Sequence, residues 1–133
     1  MRLSINPRSP KPVYQQVVDG VKEAVAKGLL EQGDRLPSVR ELAAEMTINH
    51  NTVARAYQEL ERDHVIEVVR GHGTFIAASR PRADREERVQ ALAARIRELL
   101  IEAHHLPMTE EDLLELFRVT MTEWHDERRQ ARS

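Results

Sequence analysis

Cysteine is absent from the sequence. No disulfide can staple the fold, and no thiolate can attack a substrate or hold a soft metal. Aromatic residues are scarce at 4%, so a core has to be built from Val, Leu, Ala and Ile. Long apolar runs are lacking as well. None approaches the roughly 20 residues of a membrane span, and the opening MRLSINPRSP has no long apolar stretch of the kind a secretory leader carries. A soluble cytoplasmic protein with no membrane partner is the expectation. The signatures of common enzyme classes are missing too, with no G-x-S-x-G, no P-loop and no H-E-x-x-H. Neither catalysis nor a cofactor is expected.

Strong net charge is also lacking, since the whole chain carries −2. The charge is unevenly spread, however. Residues 1–80 hold 11 Lys and Arg against 10 Asp and Glu, whereas residues 81–133 hold 9 against 12. A surface for a polyanion must therefore be a local patch on the first part, with the acidic second part turned away from it.

What is present centres on residues 38–62, SVRELAAEMTINHNTVARAYQELER. Ser38 and Glu41 have the spacing of a capping box, and Pro37 discourages helix upstream. Val39, Leu42, Ala43 and Met46 make one apolar stripe. Thr47-Ile48-Asn49 then interrupts, with Ile48 placed to pin two helices together. A second helix, capped near Asn49 or Asn51, buries Val53, Ala56, Tyr57 and Leu60. Its other face presents Asn51, Arg55, Gln58 and Arg62, with His50, Thr52 and Ala54 beside it. His50, Asn51, Thr52 and Arg55 are donors and acceptors of the type that read base edges from the start of a helix lying in the major groove.

Around this pair the order is regular. Residues 1–12 read as an extended arm broken by prolines. Residues 13–30 read as a helix with the stripe Val13, Tyr14, Val17, Val18, Val21, Val25 and Leu29. Residues 65–69 and 74–77 read as two strands, joined by Arg70-Gly71-His72-Gly73, whose glycines accept positive φ. Helix, helix, helix and hairpin within so short a span predict a winged helix-turn-helix, with Arg70, Gly71 and His72 at the wing tip. Arg35, Ser38 and the starts of the second and third helices are expected to hold phosphates.

Residues 79–84 read as a linker. Two amphipathic helices follow, one over about 85–104 and one ending near Arg128, with a frayed tail. Thr109 and Asp112 form a second capping signature. The stripes include Leu92, Ile96 and Leu99 on the first helix, and Leu113, Phe117, Met121 and Trp124 on the second. Two such helices cannot bury both stripes alone, so a second copy of the chain is expected to cover them. The predicted fold is mainly α with a small β-hairpin: a DNA-binding domain over 1–78 and a helical dimerisation segment over 85–133.

The stretch from PVYQQVVDGVKEAV through LPSVRELA and NTVARAYQELE to RGHGTFI resembles the DNA-binding domain of GntR-family bacterial transcription regulators. The short C-terminal pair of helices resembles the YtrA-type subgroup. The resemblance implies a dimer on an inverted-repeat operator. It matches Arg40 to a base-contacting position, His50, Asn51 and Thr52 to the start of the recognition helix, and Arg70, Gly71 and His72 to a wing tip in the minor groove. It also implies a repressor, of the kind that controls neighbouring ABC-transporter operons. Other subgroups place Arg where Ala54 stands, and Arg55 is the candidate to take over that contact. Two rival roles attach to the chain. Glu102, His104, His105, His125 and Asp126 could serve a metal- or small-ligand-responsive sensor, although neighbouring histidines on a helix diverge by 100°. Alternatively, the winged helix could bind a protein.

Overall fold

The computed structural model describes residues 3–78 and 82–132. The chain divides into two compact units, changing at residues 79–80. In the first, α1 (Val13–Ala26) leads to a short strand β1 (Arg35–Leu36). Helices α2 (Val39–Met46) and α3 (His50–Arg62) follow, then strands β2 (Ile66–Val69) and β3 (Gly73–Ile76). The second unit holds α4 (Arg82–His104) and α5 (Glu110–Arg132).

The expected stripes on α1, α2 and α3 supply the core. Val17, Val18 and Val21 from α1 meet Leu42 and Ala43 from α2 and Val53, Ala56, Tyr57 and Leu60 from α3. Leu36, Val65, Ile66 and Ile76 close it from the sheet side. Each buried Val, Leu or Ile contributes roughly 1.5–3 kcal/mol on leaving water, which holds an α1 too rich in valine to be stable by propensity alone. Met46 and Ile48 pack against this cluster.

Three helices end in the same way. At each terminus the chain passes through one left-handed residue, and the next amide reaches back five residues to a carbonyl of the helix. Gly28 (φ 80°) ends α1, Thr47 (φ 54°) ends α2 and His64 (φ 58°) ends α3. The closing bonds run from Leu29 N–H to Ala24 O at 2.9 Å, from Ile48 N–H to Ala43 O at 3.0 Å, and from Val65 N–H to Leu60 O at 2.9 Å. This closure stops α1 at Ala26, short of the expected residue 30, and leaves Leu29 exposed rather than in the stripe. His64 fits a left-handed site tolerably, whereas a β-branched Thr does not. Thr47→Gly is therefore expected to stabilise the protein by about 1 kcal/mol, because the Thr47 side chain is exposed and makes no packing to lose. Thermal unfolding checks this, and an unchanged or lower midpoint would show that Thr47 carries no strain.

The sheet has three strands in the order β1-β3-β2, all antiparallel. The expected hairpin is present, but β1 adds a third strand, with Arg35 opposite Phe75 and Leu36 opposite Thr74. Two residues between Asp34 and Pro37 are too few to show a period of two. Gly33 N–H to Ile76 O at 3.0 Å and Ile76 N–H to Asp34 O at 2.9 Å extend the pairing.

The N-terminal arm is tied down by Gln16. Its amide accepts from Asn6 N–H at 2.7 Å and donates to the carbonyls of Asn6 and Lys11, both at 2.9 Å. Leu3 lies so close over Gly20 that a Cβ there would stand 2.7 Å from Leu3 Cδ2. Partial burial would raise the pKa of Asp19, but bonds from Lys11 and Gln15 outweigh it and leave the carboxyl below its ordinary value. That contribution is present at neutral pH and is lost as the pH falls through the lowered pKa.

In the second unit the Thr109 signature forms a reciprocal cap, with Asp112 N–H on Thr109 Oγ1 and Thr109 N–H on Asp112 Oδ2, both 3.1 Å. Two boundaries differ from expectation. Helix α4 begins at Arg82, inside the segment read as a linker, whose residues 79–81 lie outside those described. Helix α5 continues to Arg132 where a frayed tail was expected. The run ERRQAR is made of strong helix formers, and Arg129 pairs with Asp126 at 2.7 Å one turn back. Among the described residues, α4 and α5 make little contact along their lengths.

Candidate nucleic-acid interface

Helix α2 is aimed by its cap. Ser38 Oγ accepts from Glu41 N–H at 3.1 Å, and Glu41 returns to Ser38 N–H at 3.5 Å. One lone pair of the hydroxyl serves the helix, and its own proton remains free to donate to a phosphate. The junction is locked from α3, where Tyr57 Oη donates to Pro37 O at 2.7 Å. Burial pushes the Tyr57 phenol upward, with Glu41 and Glu45 adding to it, so it stays a neutral donor. Arg40 stands exposed in the first turn of α2.

Helix α3 begins at His50, with Asn49 as its cap; Asn49 Oδ1 accepts from Asn51 N–H at 2.7 Å. This resolves the choice between Asn49 and Asn51 and leaves the Asn51 side chain outside the capping bond. His50, Asn51 and Arg55 are exposed and Thr52 is partly so. The hydroxyls, amides and rings of this first turn therefore stand on an open helix face, above a stripe that is buried.

The wing places the remaining residues. Val69 O accepts from His72 N–H at 2.9 Å, with Gly71 at φ 81° in the third position. This is the arrangement of a type II turn, which favours glycine at that place. Arg70, Gly71 and His72 are all exposed at the tip. Gly73 (φ 122°) starts the return strand, and a Cβ on it would stand 3.1 Å from Arg35 Nε. Thus β1, the unexpected strand, lays the Arg35 guanidinium against the base of the wing.

One contact was not legible in the sequence. Arg55 does not extend freely from α3. Its guanidinium carbon sits 3.8 Å from the centre of the Tyr14 ring on α1. The sequence places Tyr14 in the α1 stripe and carries no sign of this contact. Lys22 makes a second link between these helices' elements, reaching Asp63 at the end of α3 at 2.9 Å.

The seven residues expected at a chain-to-chain contact fall on α4 and α5. Leu92, Ile96, Leu99, Phe117 and Met121 are exposed on the single chain, while Leu113 and Trp124 are partly covered. Leu100 and Ile101 are exposed as well, so the apolar surface of α4 is wider than one stripe. His104 and His105 meet edge to face with ring centres 5.3 Å apart. Among the described residues, no three of His, Cys, Asp and Glu converge as metal ligands, and no helix is long and apolar enough to cross a membrane.

Comparison with known proteins agrees with this geometry. The model of the gntR family of bacterial regulatory proteins matches residues 13–76, from the start of α1 to the end of β3. The HTH-type transcriptional repressor YtrA of Bacillus subtilis is 41% identical over 113 residues, which are 85% of this chain and 87% of that protein. A crystal structure described as a transcriptional antiterminator from Listeria monocytogenes superposes with a TM-score of 0.84 at 34% identity, covering 93% of this chain and 92% of that one. YtrA from Sulfolobus acidocaldarius, a GntR-family transcription factor, gives a TM-score of 0.55 at 28% identity over 91% and 97% of the two chains. These similarities run past the wing into the C-terminal helices. The chain belongs to the gntR family of bacterial regulatory proteins, DNA-binding transcription regulators rather than enzymes, and within it to the YtrA type.

Proposed function

We propose that the protein is a homodimeric repressor, working in the cytoplasm, that grips an inverted-repeat operator overlapping a promoter. The observation that carries the dimer is the apolar surface of the second unit. Leu92 is 56% exposed, Leu99 57% and Phe117 58% on the isolated chain, and a soluble monomer rarely leaves so much apolar surface open. A second copy covers it and sets two heads in two-fold relation, as a palindromic site requires.

On each half-site α3 enters the major groove with His50, Asn51 and Thr52 toward the base edges. Arg40 adds a base contact from α2. Arg35 and Ser38 hold phosphates, and Arg70, Gly71 and His72 enter the minor groove at the wing tip. Blocking polymerase is then steric. The similarity to the Bacillus subtilis repressor supports repression, and a transporter operon is the target we infer. A small-molecule effector would act through α4 and α5.

Selection of bound sequences from a random duplex pool tests this reading. The expected product is an inverted repeat whose half-sites are centred about one helical turn, or a multiple of it, apart. No enrichment at low salt would reject DNA recognition, and a lone half-site would reject the dimer. Arg40→Ala is expected to lose about 1–3 kcal/mol at one position of the selected site and to relax preference there. Equal loss on every sequence in a gel-shift series would move Arg40 from base reading to backbone holding.

A further inference from the structure

The Tyr14–Arg55 contact lies outside the roles assigned so far. Arg55 is on the exposed side of α3, yet it is not at the centre of that side. At 100° per residue, Asn51, Gln58 and Arg62 define the middle, and Arg55 flanks them toward the edge that α1 borders. Tyr14, in the first turn of α1, draws it further that way, holding the guanidinium carbon 3.8 Å from the ring centre. No carboxylate among the described residues pairs with Arg55; Glu59, one turn on, faces Arg62 at 3.7 Å instead.

We infer that Tyr14 is a positioning residue that fixes Arg55 as a clamp on the phosphodiester backbone at the edge of the major groove, so that Arg55 does not read a base. Three physical points carry this. Stacking uses the face of a guanidinium and leaves its five N–H donors in plane, aimed outward for a bidentate acceptor. The ring restrains a long side chain whose freedom would otherwise be lost on binding, so less ordering is needed in the complex. The sideways pull moves the donors from the centre of the groove toward its wall, where phosphates run. The inference rests on the proposed DNA-binding reading and replaces the expectation that Arg55 substitutes for a base-reading arginine.

The test uses the full chain, its selected operator, and four variants: Arg55→Ala, Tyr14→Phe, Tyr14→Met and the double variant Tyr14→Met with Arg55→Ala. Operator affinity is followed over a salt series, and preference is profiled on the random pool. Arg55→Ala should lose about tenfold in affinity, equally at all base positions, with a salt dependence shallower by about one unit of slope per head. Tyr14→Phe keeps the ring and should bind as the parent does. Tyr14→Met keeps the apolar bulk without the ring and should lose about threefold. In the Arg55→Ala background it should lose nothing more, which separates positioning from a general packing role. Relaxed preference at one base position in Arg55→Ala would overturn the backbone assignment in favour of guanine reading. An undiminished loss from Tyr14→Met in the double variant, or parental affinity in Arg55→Ala, would overturn the pair. If the parent chain itself bound no duplex, the DNA-binding reading would have failed first, and the pair's role with it.

Discussion

Truncation after Ala78 is expected to leave a folded monomer that binds the full operator about 10²–10⁴-fold more weakly than the intact chain. Folding should survive because every member of the buried cluster lies between Val17 and Ile76. Affinity should fall because two heads held together bind the second half-site at an effective concentration set by their tether, and a lone head forfeits that gain. Analytical ultracentrifugation and gel shifts give the two readouts. A truncate that remains dimeric would place the contact in the head itself. Phe117→Asp asks the same question without deletion, since a carboxylate at the centre of an apolar contact is costly to desolvate. Phe117 is 58% exposed on the single chain, so this change should leave the fold intact and weaken only association. An unchanged association constant would take Phe117 out of the interface.

The second large effect is expected from Leu60→Ala, at about 3 kcal/mol of lost stability. Leu60 is fully buried near the end of α3, and its carbonyl also accepts the bond from Val65 N–H that closes the helix. The shortened side chain leaves a cavity between α1, α3 and the sheet. Denaturant unfolding measures the loss. A change under about 1 kcal/mol would mean that the surrounding valines collapse into the space. At operator saturation the variant should still recognise the same sequence, because no exposed side chain of α3 is altered.

Much of this architecture was legible in advance, for reasons tied to particular residues. The stripes Val17-Val18-Val21, Leu42-Ala43 and Val53-Ala56-Tyr57-Leu60 fell where period 3.6 placed them, because each helix buries one face against the same core. Ser38 with Glu41, and Thr109 with Asp112, announced helix starts through side chains with few other uses at that spacing. What could not be read was contact between segments distant in sequence. Strand β1 exists because β3 lies beside it, and nothing in Arg35–Leu36 encodes a partner nearly forty residues on. The Tyr14 ring under Arg55 is of the same kind. Helix α5 outran its expected end because local charge pairing carried it to Arg132.

Finally, the shared closure at Gly28, Thr47 and His64 bears on how the protein could be switched. Each of those corners is fastened by main-chain bonds that close the helix, which favours a DNA-reading module that moves as a stiff casting. A stiff casting cannot be retuned by bending. In the homodimer proposed above, a small-molecule effector would have to alter the separation or tilt between the two castings, and the trait open to adjustment would be the spacer length tolerated in the target.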